Sequence, residues 1–259
     1  FFRDLEVLPI DYTAAIEAAE RGEDPFSQPV PLHPSYEDRV DAVDRVFTSI
    51  EPSTGEYLER TWATLLSDRI DAAPELFHVH HLTPLQAAVR ANWPEAPMIG
   101  HIHGTELGML REIKDRMDIV DQLGLDLEHD ADCVFDAAQA AMEQLTDDQH
   151  EIVQATRWEY WRYAAYWAER LRYYASLCDH LILLSDDMRE SVQELLGFEG
   201  SYVTVVPNGV DISRFYPDPL SHDERLRRWR HWLVEDPHGW DESGEPGTVG
   251  YSESEVERW

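Results

Sequence analysis

The chain has 259 residues, 43% of them hydrophobic, which suffices for one large α/β domain or two small ones and excludes a disordered chain. With 52 acidic against 21 basic residues the net charge is −31, and a field this negative argues against binding nucleic acid or an anionic membrane surface. No apolar run approaches the ~20 residues that a membrane-spanning helix needs, and no basic-then-apolar stretch of the signal-peptide kind is present.

The acids are spread along the whole chain, and Lys114 is the only lysine. This pattern suits a solvated acidic surface in high salt, so a halophilic origin is expected, with a folding midpoint that rises as salt is added. Cys133 and Cys178 are the only cysteines, too few for a disulfide framework, and point to a reducing, cytoplasmic compartment.

In chain order, Leu5 to Ile10 reads as a short strand and Tyr12 to Arg21 as a short helix stopped by Gly22. Prolines 25, 29, 31 and 34 then make a long irregular connection. Arg45 to Ile50 reads as a strand. Leu58, Trp62, Leu65, Leu66 and Ile70 recur at helical spacing and predict a helix over 56–70. Leu76 to Leu82 is the next strand, and Thr83-Pro84 caps and starts the helix after it. Met98 to His103 follows as a strand, with Gly104-Thr105-Glu106 opening another helix.

Residues 107–180 form a long helical connection, with an Ala-rich helix near 131–145 and a longer one over about 150–177. On the second, Trp161, Ala164, Ala165, Ala168, Leu171, Ala175 and Cys178 make one buried stripe. The aromatic residues around it are read as core rather than as a sugar-stacking platform. A strand over Leu181–Leu184 precedes a helix with Ser185 as N-cap, an apolar stripe of Met188, Val192, Leu195 and Leu196, and Gly197 as its stop.

The β-branched run from Tyr202 to Val206 then breaks at Pro207-Asn208-Gly209, followed by Val210-Asp211 and Phe215. Arg225 to Leu233 can form a short helix, and the stretch from Asp236 to Thr248 reads as a polar linker. Strands near 46, 78, 100, 182 and 204, each separated by helical sequence, predict a parallel, doubly wound sheet. In such sheets ligands bind at the carboxyl edge.

Chemistry concentrates in the histidines. Period two puts His78 with His80, and His101 with His103, on one face each. His78 lies deeper in its strand and is read as a core residue, while His80 and His81 stand at the strand end. One reading is a metal-dependent hydrolase using His80, His101 and His103, with Glu106 or Asp211 as the carboxylate. Another is simple packing. No Walker loop, Gly-x-Ser-x-Gly, Cys-x-x-Cys or complete dinucleotide fingerprint occurs.

The block from Leu181 to Phe215, with Val-Val-Pro207-Asn208-Gly209-Val-Asp211, resembles the end of the N-terminal domain in retaining glycosyltransferases of family 4. The His78-Val-His80 strand and the His103-Gly104-Thr105-Glu106 turn are also similar to that family, and the likeness is strongest over 77–107 and 177–217. It implies one Rossmann-like half of a GT-B fold over residues 1–218, and it does not account for the helical insertion at about 108–176 or for the N-terminal region. Residues 219–259 would then lead toward a C-terminal donor-binding domain that this chain lacks.

The resemblance further implies His103 as the catalytic-site histidine beside the transferred sugar, and Gly104, Thr105, Glu106, His80 and His81 at the acceptor. Asn208, Gly209 and Asp211 would lie on the cleft loop facing the donor. Substrates would be a nucleoside diphosphate sugar and a small-molecule or glycan acceptor, with no cofactor and no metal. The glycine-rich loop usual near the family's start is not found. With the donor-binding half of the cleft missing, the isolated chain is expected to be inactive. A non-catalytic sugar-binding module and a GT-B epimerase are the remaining alternatives.

Overall fold

The computed structural model describes residues 7–40, 42–213, 220–235 and 252–256. The chain divides into two compact units, residues 1–208 and 209–259, each described by itself.

The first unit is built on four parallel strands: β1 (Phe77–His80), β2 (Met98–Ile102), β3 (His180–Leu183) and β4 (Val203–Val205), ordered β1-β2-β3-β4. Side chains alternate between the two faces. Val79, Met98, Gly100, Ile102, Leu181, Leu183 and Val203 fill the buried face. His78, His80, Ile99, His101, Ile182 and Thr204 occupy the other face, where none is fully buried. Gly100 is required by close packing, because a Cβ there would stand 2.8 Å from the Cys178 sulfur and 2.9 Å from Leu181 Cδ2.

Helices link the strands in Rossmann-like fashion. Ahead of the sheet lie α1 (Thr13–Glu20) and α2 (Pro52–Ser67), the latter with Leu58 and Trp62 buried. Between β1 and β2 runs α3 (Pro84–Asn92), started by a complete capping box of Thr83 and Gln86. From α3, Arg90 donates to the Leu177 and Ala96 carbonyls and to Asp179, whose carboxylate also accepts from the Met98 amide. That fan ties together the starts of β2 and β3.

The connection from β2 to β3 is helical, as expected: α4 (Thr105–Gln122), α5 (Leu127–Asp130), α6 (Val134–Ala140), α7 (Asp147–Ala155) and α8 (Ala164–Ser176). Between β3 and β4 lies α9 (Met188–Leu196), stopped by Gly197 at φ 78°. Among the described residues no helix is long and apolar enough to cross a membrane.

Four expectations need correction. Arg45–Ile50 is not a strand: Val46 makes one bridge to Ser35, and Phe47–Ser49 is a 3-10 turn. Tertiary contacts override the β-branched pattern here, because the Thr48 hydroxyl donates to the Tyr160 carbonyl, its own carbonyl accepts from Tyr163 N, and Trp167 Nε1 donates to Ile50 O.

The single helix over 150–177 is two helices. At the break, extended Thr156 allows both Trp158 and Trp161 to turn into the core, and Ala165 is left exposed while Trp167 is buried. The Ala-rich helix shrinks to α6 between short 3-10 turns. Ser185 does not cap α9 with its side chain; Asp187 occupies that position.

The second unit contains α10 (His222–Arg230), capped by the Ser221 hydroxyl accepting from Glu224 N, a π-helical turn at His231–Glu235, and α11 (Glu253–Val256). Phe215, the linker from Asp236 to Thr248, and Leu5 and Glu6 lie outside the described residues; Val7–Ile10 has no regular structure.

Candidate functional site

The site grows from the carboxyl ends of β1 and β2. Parallel register sets His80 directly beside His101, and period two brings His103 in line above it. His80 Nδ1 lies 2.8 Å from His103 Nε2, and His78 Nε2 lies 3.3 Å from His101 Nδ1. The rings overlap, with His101 and His103 centroids 4.5 Å apart and His81 and His103 also 4.5 Å apart. Desolvation, followed by repulsion between neighbouring rings, pushes His101 down to about 4 and lowers His80 and His103 in the same direction. At neutral pH these three are uncharged imidazoles, each able to donate one hydrogen bond and accept another.

His81 has the left-handed backbone, φ 63°, that a residue with a Cβ rarely adopts. Four interactions hold it there. Its amide donates to the His101 carbonyl (2.9 Å), its carbonyl accepts from Gln86 Nε2, its ring faces Tyr36, and its Nδ1–H donates to Glu106 Oε1 (2.7 Å). A strained residue fixed from every side is typical of a functional edge.

Glu106 is fully buried, and its second oxygen accepts from the His103 amide (3.2 Å) and the Gly104 amide (3.0 Å). Glu106 therefore shapes the turn from beneath and takes up two of its amides. Gly104 makes the turn possible with φ 102°, and Thr105 begins α4 on the exposed side.

Beside this turn lies a cavity of about 460 Å³, lined by His80, His81, Thr83 and Thr105 on one side and by His33, Tyr36 and Arg39 on the other. The last three come from the proline-rich segment, which sequence reasoning left without a role. Tyr36 anchors that segment by donating to the Leu82 carbonyl at 2.6 Å. His33 Nε2 is shut off from solvent without a protein partner, and burial pushes this ring down to about 4. The clustered prolines and His33 were the only available signal.

The structure thus brings together His80, His81, His103, Gly104, Thr105 and Glu106. His78, read as core, is exposed instead, because it points from the open face of the sheet. Asn208 ends the first unit, exposed, after Val206 N has donated to the Leu183 carbonyl. Gly209 and Asp211 belong to the second unit, where Asp211 Oδ1 accepts from Ser213 N and Oγ.

A parallel sheet with helical crossovers and a cavity at its carboxyl edge defines an α/β protein of Rossmann-like class. This chain belongs to Glycosyltransferase Family 4, whose sequence model matches residues 18–214, well over half its length. The match takes in the helical connection and the whole proline-rich segment. Comparison with curated proteins and with solved structures gives no match.

Proposed function

We propose that the chain forms the acceptor side of a retaining glycosyltransferase, which moves a sugar from a nucleoside diphosphate sugar to a small-molecule or glycan acceptor. The observation that carries this reading is the cavity at the carboxyl edge of β1 and β2, in a chain of this family. The edge suits hydroxyl groups rather than phosphates. Desolvation favours the neutral forms of His80 and His103, and Arg39, which also lines the cavity, is paired with Asp44. Alternating donor and acceptor nitrogens match a polyol, whereas a diphosphate calls for cations or free amides.

In this reading His103 stands next to the transferred sugar and exchanges hydrogen bonds with its hydroxyls. His80 and His81 position the acceptor together with the exposed Thr105. Glu106 is a positioning residue that orients the His81 ring and the Gly104 turn. Asn208, Gly209 and Asp211 are assigned to the donor-facing loop, and the diphosphate contacts to the second Rossmann-like half of the family's architecture. No step of the transfer is routed through a metal or cofactor. The two free cysteines, with the buried Cys178 thiol pushed up to about 12, fit a reducing, cytoplasmic setting.

The test is transfer by the protein expressed from its full reading frame, with nucleoside diphosphate sugars and a panel of acceptors. The product's anomeric configuration is read by proton NMR. Retention of the donor's configuration, with a loss of roughly 100-fold or more on His103→Ala, is expected. An inverted product, or turnover indifferent to His103, contradicts the assignment.

A further inference from the structure

We infer that His78, His80 and His101 form a binding site for a divalent transition-metal ion of the Zn²⁺ class on the open face of the sheet. The three residues each offer one ring nitrogen, and these nitrogens all lie within 4.8 Å of one another. Nitrogen ligands at about 2.0–2.1 Å on a tetrahedral ion stand roughly 3.3 Å apart. His78 Nε2 and His101 Nδ1 are already at 3.3 Å.

The third ligand is fixed by register: His80 pairs with His101 across the β1–β2 ladder, and its ring centroid is 4.8 Å from that of His101 and 4.6 Å from that of His78. The rings now overlap face over face, with His78 and His101 only 9° from parallel. Turning them toward a common point needs rotation about the terminal ring torsion, which is a broad and soft coordinate. His78 and His80 are exposed, and on turning His80 exchanges its contact with His103 for the ion.

The other ring nitrogen, His101 Nε2, is buried, so the ligating atom of this ring is Nδ1, the nitrogen that faces His78. Imidazole ligands without sulfur select Zn²⁺, Ni²⁺, Co²⁺ or Cu²⁺ rather than Ca²⁺ or Mg²⁺. The cluster contains no carboxylate, and the nearby Glu106 is already held by His81 and two amides. The site is therefore one for holding an ion through three imidazoles, with a fourth position left for water or a donor from a covering group. It borders the proposed acceptor site, with which it shares His80, and leaves His103 outside the ligand set.

The probe is Zn²⁺ alone, titrated into metal-free protein against a chromogenic chelator, in excess Mg²⁺ to occupy the surface carboxylates. One ion per chain should bind with a dissociation constant on the order of 1 µM or tighter. His78→Ala and His101→Ala should each weaken it roughly tenfold or more, and His129→Ala and His150→Ala should leave it unchanged. Co²⁺ should give the intense visible bands of a tetrahedral site in the parent protein and lose them in His78→Ala. Should His101→Ala fail to fold, the exposed His78 variant decides. Binding that is absent, or that survives His78→Ala undiminished, overturns the site.

Discussion

The two faces of the sheet share the same four strands and differ in their chemistry, although Ile99 and Ile182 also lie on the open one. On the buried face, Met98, Ile102, Leu181, Leu183 and Val203 pack into the main core, and the face reads as pure hydrocarbon around Gly100. On the other, the same strands present His78, His80, His101 and, beside Thr204, His180, whose Nε2 lies 2.8 Å from the threonine hydroxyl. Parallel sheets are usually covered on both sides and apolar on both. Residues one position apart therefore do separate work: the buried set holds the fold, and the open set, with the turns that follow it, carries the chemistry.

That division can be broken most directly by Leu183→Ala. It should lower stability by about 2–5 kcal/mol in urea denaturation, as buried Leu→Ala changes do. A loss below about 1 kcal/mol would mean that the buried face is not the core.

Glu106→Gln comes next. It keeps the shape but removes the charge that four donors address: the His81 ring, the His103 and Gly104 amides and the Thr105 hydroxyl. A loss of about 2–3 kcal/mol is expected, with a changed environment of the His81 ring by NMR. Equal stability and an unmoved His81 signal would deny Glu106 its positioning role.

Acid should separate the faces too. His101 and His33 are pushed to about 4 in the fold, while the unfolded chain takes up protons near the ordinary ~6.5. Below ~6.5 the unfolded state binds more protons, so this contribution is fully present above ~6.5 and is lost as pH falls toward about 4. The melting midpoint should decline across that window. A His101→Asn variant should decline less steeply than the parent; identical slopes would show that His101 does not resist protonation.

Smaller still is the strain at His81. His81→Gly and His81→Ala both lose the Glu106 contact, but only glycine tolerates φ 63° freely. The glycine variant should therefore be the more stable by about 1 kcal/mol, measured by denaturation. His78→Ala, on the open face, should change stability by no more than about 0.5 kcal/mol.

Much of the architecture was legible in the chain. The apolar runs at 77–80, 98–102, 180–183 and 203–205 are short and bounded by polar or turn-forming residues, and Thr83-Pro84 and Gly197 mark helix ends by local chemistry alone. Val46–Ile50 misled because its Thr48 hydroxyl and Ile50 carbonyl are claimed by Tyr160 and Trp167, more than a hundred positions away. The break at Thr156 is likewise set by where Trp158 and Trp161 find space.

For the site, alternation paired His78 with His80 and His101 with His103, but it could not say which face lies open, and His78, deeper in its strand, was assigned to the core. His33 and Tyr36 were illegible for the same reason as Val46. Their place depends on a contact from Tyr36 to Leu82, 46 residues on, that no local pattern encodes.

The account rests on the histidine edge being where the acceptor sits. The most direct test is to record the histidine ring signals of the protein by NMR while titrating the acceptor identified in the transfer assay. His80, His81 and His103 should move together and saturate at one affinity, with the remote His129 and His150 unmoved. An acceptor that binds while leaving those three rings unchanged would place the site elsewhere and contradict the account.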